Sequence, residues 1–295
     1  MVNVVFFGSS KFVIPILEVL RRNFDLSLVL TTENPKTLKV DLALQGEALQ
    51  SYAVVEYCVK KKIKYLSVSG LSDPNLKLKI ENLKLEIAVL ADFGLIIPQQ
   101  ILNVFPMGII NIHPSLLPKY RGPTPVQTAI LNGEKITGVS IMKLDKEIDH
   151  GPILGQEKEE ILDTDTADIL YKRLFEKGAN LLIKVLPNYI KGSLKPTTQN
   201  HKEATFTKTL TRQDGYVDIS KIKMQKSKID RMIRAYFPWP GVWFATKLNN
   251  VEKIIKLLPD QKIQVEGKKP VSYKDFLNGY PKEGKEILEK LKLSY

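Results

Sequence analysis

Gly108-Ile-Ile-Asn111-Ile-His113-Pro114-Ser115-Leu116-Leu117-Pro118 is the stretch on which the reading of this chain turns. The β-branched run up to Ile112 suits a buried strand, and Pro114 ends it because proline has no N–H to give a ladder. Asn111 and His113 are two residues apart, so on a strand they leave the same face. Open α/β sheets bind ligands where their strands end, so a polar pair closing an apolar strand points to a site rather than to packing.

Outward from that strand, apolar runs alternate with amphipathic ones. Val2 to Phe7 predicts a first strand, closed by Gly8-Ser9-Ser10, and Lys11 to Arg22 sets Phe12, Ile16, Leu17, Val19 and Leu20 at helical spacing. Leu26 to Leu30, Lys64 to Val68 and Glu86 to Ala91 read as further strands, with helices over Tyr52 to Lys62 and Pro74 to Leu83. Beyond His113 come a helix at Val126 to Leu131, strands at Val139 to Leu144 and Ile153 to Ile161, and a long helix from Asp165 to Val185. Strands and helices in this alternation predict an α/β domain, a mostly parallel sheet covered on both faces. Gly8-Ser9-Ser10 lacks the repeated glycines of a dinucleotide fingerprint, so no nicotinamide cofactor is expected.

The predicted organisation is a catalytic domain over residues 1–187, a linker over 188–209 carrying Gly192, Pro196, Thr197 and Thr198, and a C-terminal domain over 210–295. The last part has a helix at Lys226 to Tyr236, then short strands near Val242 to Ala245, Val251 to Leu257 and Ile263 to Val265, the pattern of a small β-barrel. Its charge sets it apart. The chain carries +12 overall, and residues 201–295 hold 20 Lys and Arg against 11 Asp and Glu, a balance of +9 that leaves +3 for residues 1–200. A basic domain beside a nearly neutral one is the footprint of a protein that holds a polyanion while chemistry proceeds elsewhere; a lysine-rich solvated surface is the plainer alternative.

With 43% hydrophobic and 26% charged residues, the composition is that of a soluble globular protein, and no apolar stretch approaches the ~20 residues that span a membrane. Met1-Val-Asn-Val-Val-Phe-Phe-Gly8 enters a strand with no basic leader, which predicts a cytoplasmic protein. The single Cys58 has no disulfide partner and reads as a small core residue on a helix.

Of the three histidines, His150 and His201 read as surface or satisfied residues, whereas His113 has the strand-end context of a catalyst. Asp149 follows it by 36 residues, in Leu144-Asp-Lys-Glu-Ile-Asp149-His-Gly. Alone, Asp149 reads as a turn former, since Asp-His-Gly-Pro is good turn chemistry. Together, Asn, His and Asp can polarise a carbonyl, hold an imidazole in one tautomer and carry a proton, which acyl or formyl transfer requires.

Asn111 to Pro118, continued by Lys119-Tyr-Arg-Gly-Pro-Thr-Pro-Val-Gln127, Gly138-Val-Ser-Ile-Met142 and Asp149-His-Gly, resembles the folate-dependent formyltransferases. Within that superfamily, Ile233-Arg-Ala-Tyr-Phe-Pro-Trp-Pro-Gly-Val-Trp243, Lys256-Leu-Leu-Pro, Gly267-Lys-Lys-Pro and Ser272-Tyr-Lys-Asp-Phe-Leu-Asn-Gly279 are similar to the branch that acts on methionyl-tRNA. The resemblance implies a Rossmann-like sheet followed by an oligonucleotide-binding-like (OB-like) barrel, shortened here, with 10-formyltetrahydrofolate as co-substrate and initiator methionyl-tRNA as acceptor. It implies catalysis by Asn111, His113 and Asp149, folate held by Ser115, Leu116, Leu117, Pro118, Phe93 and Leu95, and a methionyl pocket at Ser10 and Phe12. A monomer without metal or membrane attachment is expected. The alternative acceptor is a small one, a nucleotide sugar or glycinamide ribonucleotide. The loop Thr32 to Gly46 departs from the family in carrying lysines without arginine.

Overall fold

The structure is a computed structural model that describes residues 2–32, 47–83, 85–220 and 226–293. Of the lysine-bearing loop from Thr32 to Gly46, all but Thr32 thus lies outside the described residues.

Among the described residues seven strands form the main sheet: β1 (Asn3–Phe7), β2 (Asp25–Thr32), β3 (Tyr65–Val68), β4 (Ile87–Leu90), β5 (Gly108–His113), β6 (Ile136–Lys143) and β7 (Ile153–Glu160), in the order β3-β2-β1-β4-β5-β6-β7. The pairs from β3 through β5 are parallel, and β6 and β7 add antiparallel. Around them run α1 (Ile14–Asn23), α2 (Glu47–Lys61), α3 (Pro74–Glu81), a single turn α4 (Gln99–Leu102) and α6 (Ala167–Ile190), while α5 (Pro125–Asn132) follows β5 in the chain. The mostly parallel sheet with helices is the architecture expected. The long helix continues through Pro187 to Ile190, beyond the predicted end at Val185.

Strand parity sorts the core into two clusters. Val4, Phe6, Ile87, Val89, Ile110 and Ile112 pack on one face with α1 and α6; Val5, Phe7, Ala88 and Ile109 pack on the other with Phe93, Ile101 and Phe105. β5 is buried at every residue, because a central strand with both faces covered has no solvent side. Asn111 and His113 share the parity of Ile109, which places them on the second face.

By its internal contacts the chain divides into two compact units: Met1–Gly122 with Ile136–Glu160 and Tyr171–Phe206, and Pro123–Lys135 with Ile161–Leu170 and Thr207–Tyr295. In the second unit α7 (Lys226–Tyr236) packs against α5. Its antiparallel sheet runs β11 (Val271–Ser272), β10 (Lys262–Val265), β9 (Val251–Leu258), β8 (Val242–Leu248), with α8 (Tyr273–Gly279) and α9 (Pro281–Lys290) following. The two final helices extend the predicted strand pattern. Ser272 caps α8 by accepting from Asp275 N at 3.1 Å, and α9 starts on Pro281 and buries Ile287 and Leu288. Among the described residues no helix is long and apolar enough to cross a membrane.

Candidate active site

β5 carries Asn111 and His113 into a buried polar cluster at its carboxyl end, where they are 6% and 5% exposed. The loop between β6 and β7 brings Asp149 to them in a left-handed conformation, φ +49°, which aspartate tolerates better than most residues. Asn111 Nδ2 donates to Asp149 Oδ1 at 3.2 Å, and the N–H of Gly122 donates to Asp149 Oδ2 at 2.7 Å. His113 Nδ1 stands 3.6 Å from Asp149 Oδ2. His113 Nε2 lies 2.9 Å from the carbonyl oxygen of Tyr120, an acceptor only, so Nε2 carries a proton and donates it. A proton arriving at Nδ1 therefore finds the Asp149 carboxylate next to it.

The loop after β5 is a scaffold for this cluster. Ser115 is fully buried and donates through Oγ to Lys119 O at 2.7 Å. Ser140 on β6 donates to Ser115 O at 2.6 Å and accepts from Leu117 N at 3.0 Å, while Gln156 on β7 donates to Leu117 O at 2.9 Å. Leu117 is 3% exposed, and Leu116 leans on Gly138, where an added Cβ would come within 2.5 Å of the Leu116 side chain. The Leu117–Pro118 peptide is cis. Gly151 has a similar reason to be glycine: a Cβ there would sit 2.0 Å from Lys143 O, so any side chain would push the Asp149 loop off β6.

A cavity of about 650 Å³ lies beside this loop, lined among others by Leu102, Phe105, Ile109, Leu144, Asp145 and Gln99. Its wall is the apolar cluster to which Phe93 and Leu95 belong. Ile109 lines it, two residues before Asn111 on the same strand face. The catalytic trio does not line it, nor does any residue from 115 to 118. At its rim His150 Nδ1 meets Asp145 Oδ2 at 2.7 Å, and the His150 ring stacks on His201 at 4.0 Å. Ser10 is 3% exposed and Phe12 stacks on Tyr171 at 5.7 Å, so these two sit at the β1–α1 turn and not in the cluster.

The structure thus brings together the three residues named for catalysis. It adds four participants that residue types alone do not reveal: the Tyr120 carbonyl, the Gly122 N–H, Arg121 between them, and Gln199, whose amide bonds both Arg121 and the Asp149 carbonyl. The first two are backbone groups, which any sequence would supply. Among the described residues no group of three or more His, Cys, Asp or Glu is placed to hold a metal ion.

In the second unit, the strand pairings Trp243 with Lys256, Lys256 with Gln264, Lys247 with Glu252 and Lys262 with Leu258 put Trp243, Lys247, Lys256 and Lys262 on one face of the sheet. The opposite face buries Phe244, Ile255, Leu257 and Ile263. The three lysines are exposed, and the Arg212 guanidinium lies over the Trp243 ring at 5.0 Å. The result is an aromatic and cationic surface.

Comparison with known proteins bears on both regions. Residues 2–186 match the model of the formyl transferase family. The chain is 39% identical to a methionyl-tRNA formyltransferase of Chloroflexus aurantiacus over 241 residues, covering 82% of this chain and 75% of that one. It is 32% identical to a methionyl-tRNA formyltransferase of Thermodesulfovibrio yellowstonii over 304 residues, covering 94% and 96%. Among solved structures, a sugar N-formyltransferase from Shewanella superposes with a TM-score of 0.64 at 18% identity, covering 88% of this chain and 98% of that one. An N-formyltransferase from Helicobacter canadensis, in complex with folinic acid and dTDP-3-aminofucose, gives 0.62 at 22%, covering 90% and 95%. At such identity the structural likeness speaks to the fold.

Proposed function

This chain belongs to the formyl transferase family, and from that membership we propose that it moves the formyl group of 10-formyltetrahydrofolate to the α-amine of initiator methionyl-tRNA, for translation initiation. The observation that carries the reading is the Asn111–Asp149–His113 cluster, in a chain whose likeness to methionyl-tRNA formyltransferases extends over the basic C-terminal unit as well.

The cavity beside the Asp149 loop is of a size that ligand pockets commonly have, with an apolar wall for a flat ring system and Gln99 and Asp145 to meet its polar edge. Phe93 and Leu95 back that wall, and Ser115, Leu116, Leu117 and Pro118, which do not line the cavity, act on the ligand indirectly, as the buried loop that fixes the strand end from which Asn111 meets its reactive end. Bound there, the folate supplies a formyl carbon on N10.

One N–H of Asn111 is committed to Asp149, and its second is available to the formyl oxygen, where charge develops as the amine attacks. Free α-amines titrate near 8, so a neutral nucleophile is available without a metal. As the new N–C bond forms, the amine's proton passes to Asp149, directly or through water, and His113 adds to the stabilisation of the oxyanion. Cleavage of the C–N10 bond then returns a proton to N10, leaving formyl-methionyl-tRNA and tetrahydrofolate. Ser10 and Phe12 border the methionyl side chain. The Trp243 and lysine face of the C-terminal sheet meets phosphates of the tRNA, contacts that add salt-sensitive affinity and no sequence readout. A monomer is the working unit of this proposal, and the acceptor sets the reaction in the cytoplasm.

The test is direct. Incubating the protein with 10-formyltetrahydrofolate and charged initiator tRNA is expected to block the methionine amine. Formylation of an amino-sugar nucleotide or glycinamide ribonucleotide, with the tRNA left unmodified, would overturn the reading in favour of a small acceptor.

A further inference from the structure

The connection from Thr197 to Phe206 is laced to both loops that build the catalytic cluster. Thr197 and Ile153 exchange backbone hydrogen bonds of 2.8 Å, which anchors the segment beside β7. Further on, Thr205 accepts from Tyr120 N through Oγ1 and from Arg121 N through its carbonyl, both at 2.8 Å. Between these anchors Gln199 turns inward and is 4% exposed. Its Nε2 donates to Asp149 O at 2.9 Å and to Gly151 O at 2.7 Å. Its Oε1 accepts from Arg121 Nε at 3.2 Å and Nη2 at 2.8 Å. Both amide protons and both lone pairs of the oxygen are used. Arg121 is itself 3% exposed, and its Nη2 also donates to His201 Nδ1 at 2.8 Å.

We infer that Gln199 is a positioning residue for the transfer reaction, tying the backbone at Asp149 to Arg121 so that the catalytic carboxylate stays against its partners. This rests on the function proposed above. Arg121 stands between Tyr120, whose carbonyl holds His113, and Gly122, whose N–H holds Asp149. One buried amide therefore locks the loop 120–122 to the loop 149–151, and with it the relative placement of His113 and Asp149. Asp149 is left-handed, a conformation that persists only where surrounding bonds over-determine it, and the bond to its carbonyl is one of those. Glutamate could not replace this glutamine, since it has no donors for the two carbonyl oxygens.

The experiment compares wild type with Gln199→Met, which keeps length and loses all four hydrogen bonds, in steady-state formylation of charged initiator tRNA. The expected result is a fall in kcat of about tenfold to a hundredfold, the scale of a small misplacement of a catalytic group, with KM for folate and for tRNA within about twofold. Arg121→Lys, which keeps the charge and loses the fork, is expected to show the same split more weakly. A wild-type kcat in folded Gln199→Met overturns the inference, as does a loss of activity that only tracks a reduced folded fraction. If Gln199→Met does not fold, Arg121→Lys decides: a lower kcat at constant KM supports the inference, and a wild-type kcat or a failure to fold overturns it. Wild-type protein without turnover on this acceptor would instead count against the function, whatever the variants do.

Discussion

The end of β5 and the outer face of the C-terminal sheet are both rich in polar groups, and they are built on opposite terms. At β5 the side chains of Asn111 and His113 are buried, that of Asp149 is 12% exposed, and all three are linked to one another or to backbone groups. On the sheet, Lys247, Lys256 and Lys262 extend into solvent from a β-structure whose other face supplies the stability. Stabilising charge on one atom of a transition state needs donors fixed in place, because a preorganised group costs no reordering when the charge appears. Holding a polyanion needs only a field and freely moving cations, because each phosphate contact gains mainly by releasing counterions. A polar cluster is thus read by its partners and a basic surface by its exposure.

Asp149→Ala tests that contrast where it is strongest. It removes the acceptor of two hydrogen bonds and the proton site, and kcat is expected to fall about 10³- to 10⁴-fold with tRNA affinity kept. A loss under tenfold would mean that the enclosure serves packing alone. Asn111→Ala follows, with an expected loss of about 10²- to 10³-fold in kcat and little change in either KM, measured in the same formylation assay.

The basic face should respond in the other parameter. Replacing Lys247, Lys256 and Lys262 together by glutamine is expected to raise KM for tRNA several-fold at constant kcat. The slope of log affinity against log salt should shrink by about one for each lysine that meets a phosphate. Equal effects on kcat would erase the distinction between the two regions. Cys58 gives the smallest effect and a reference for all variants. It is 0% exposed, and burial pushes its thiol up to about 11. Since the thiolate is the reactive form and its fraction falls as pH drops below that value, only about a thousandth is ionised at pH 8. Native protein should therefore resist iodoacetamide at pH 8 and react on unfolding in urea; rapid native labelling would show that the core around α2 opens.

Legibility in the sequence followed how local the cause was. The strands of the main sheet and the helix Lys226–Tyr236 came within a few residues of their observed bounds, because apolar periodicity reports the face that each element buries. The strand pattern of the C-terminal part masks α8 and α9, whose signals are nonetheless in the sequence, Ser272 ahead of Asp275 and Pro281 ahead of Ile287 and Leu288. Short amphipathic helices beside a β-pattern lose to it when the pattern is read first. Asn111 and His113 were legible as a pair since strand parity is a local rule. Asp149 was legible only through family likeness, as its own neighbours describe a turn. Gln199 was not legible at all. It stands 50 residues from the carbonyl it holds, in a stretch whose composition describes a linker.

The amino-acid sequence by itself determined the alternation that makes a parallel sheet, the polar pair closing its apolar strand and the concentration of positive charge in the last third. Each of these follows from side-chain chemistry and spacing within one element. Tertiary structure alone decided that residue 149 meets residues 111 and 113, that the Tyr120 carbonyl and the Gly122 N–H complete their hydrogen bonds, and that a connecting segment braces the cluster. The reason is that backbone donors and acceptors are the same in every residue, so their partners are chosen only when distant loops are brought into register by the packing of the core.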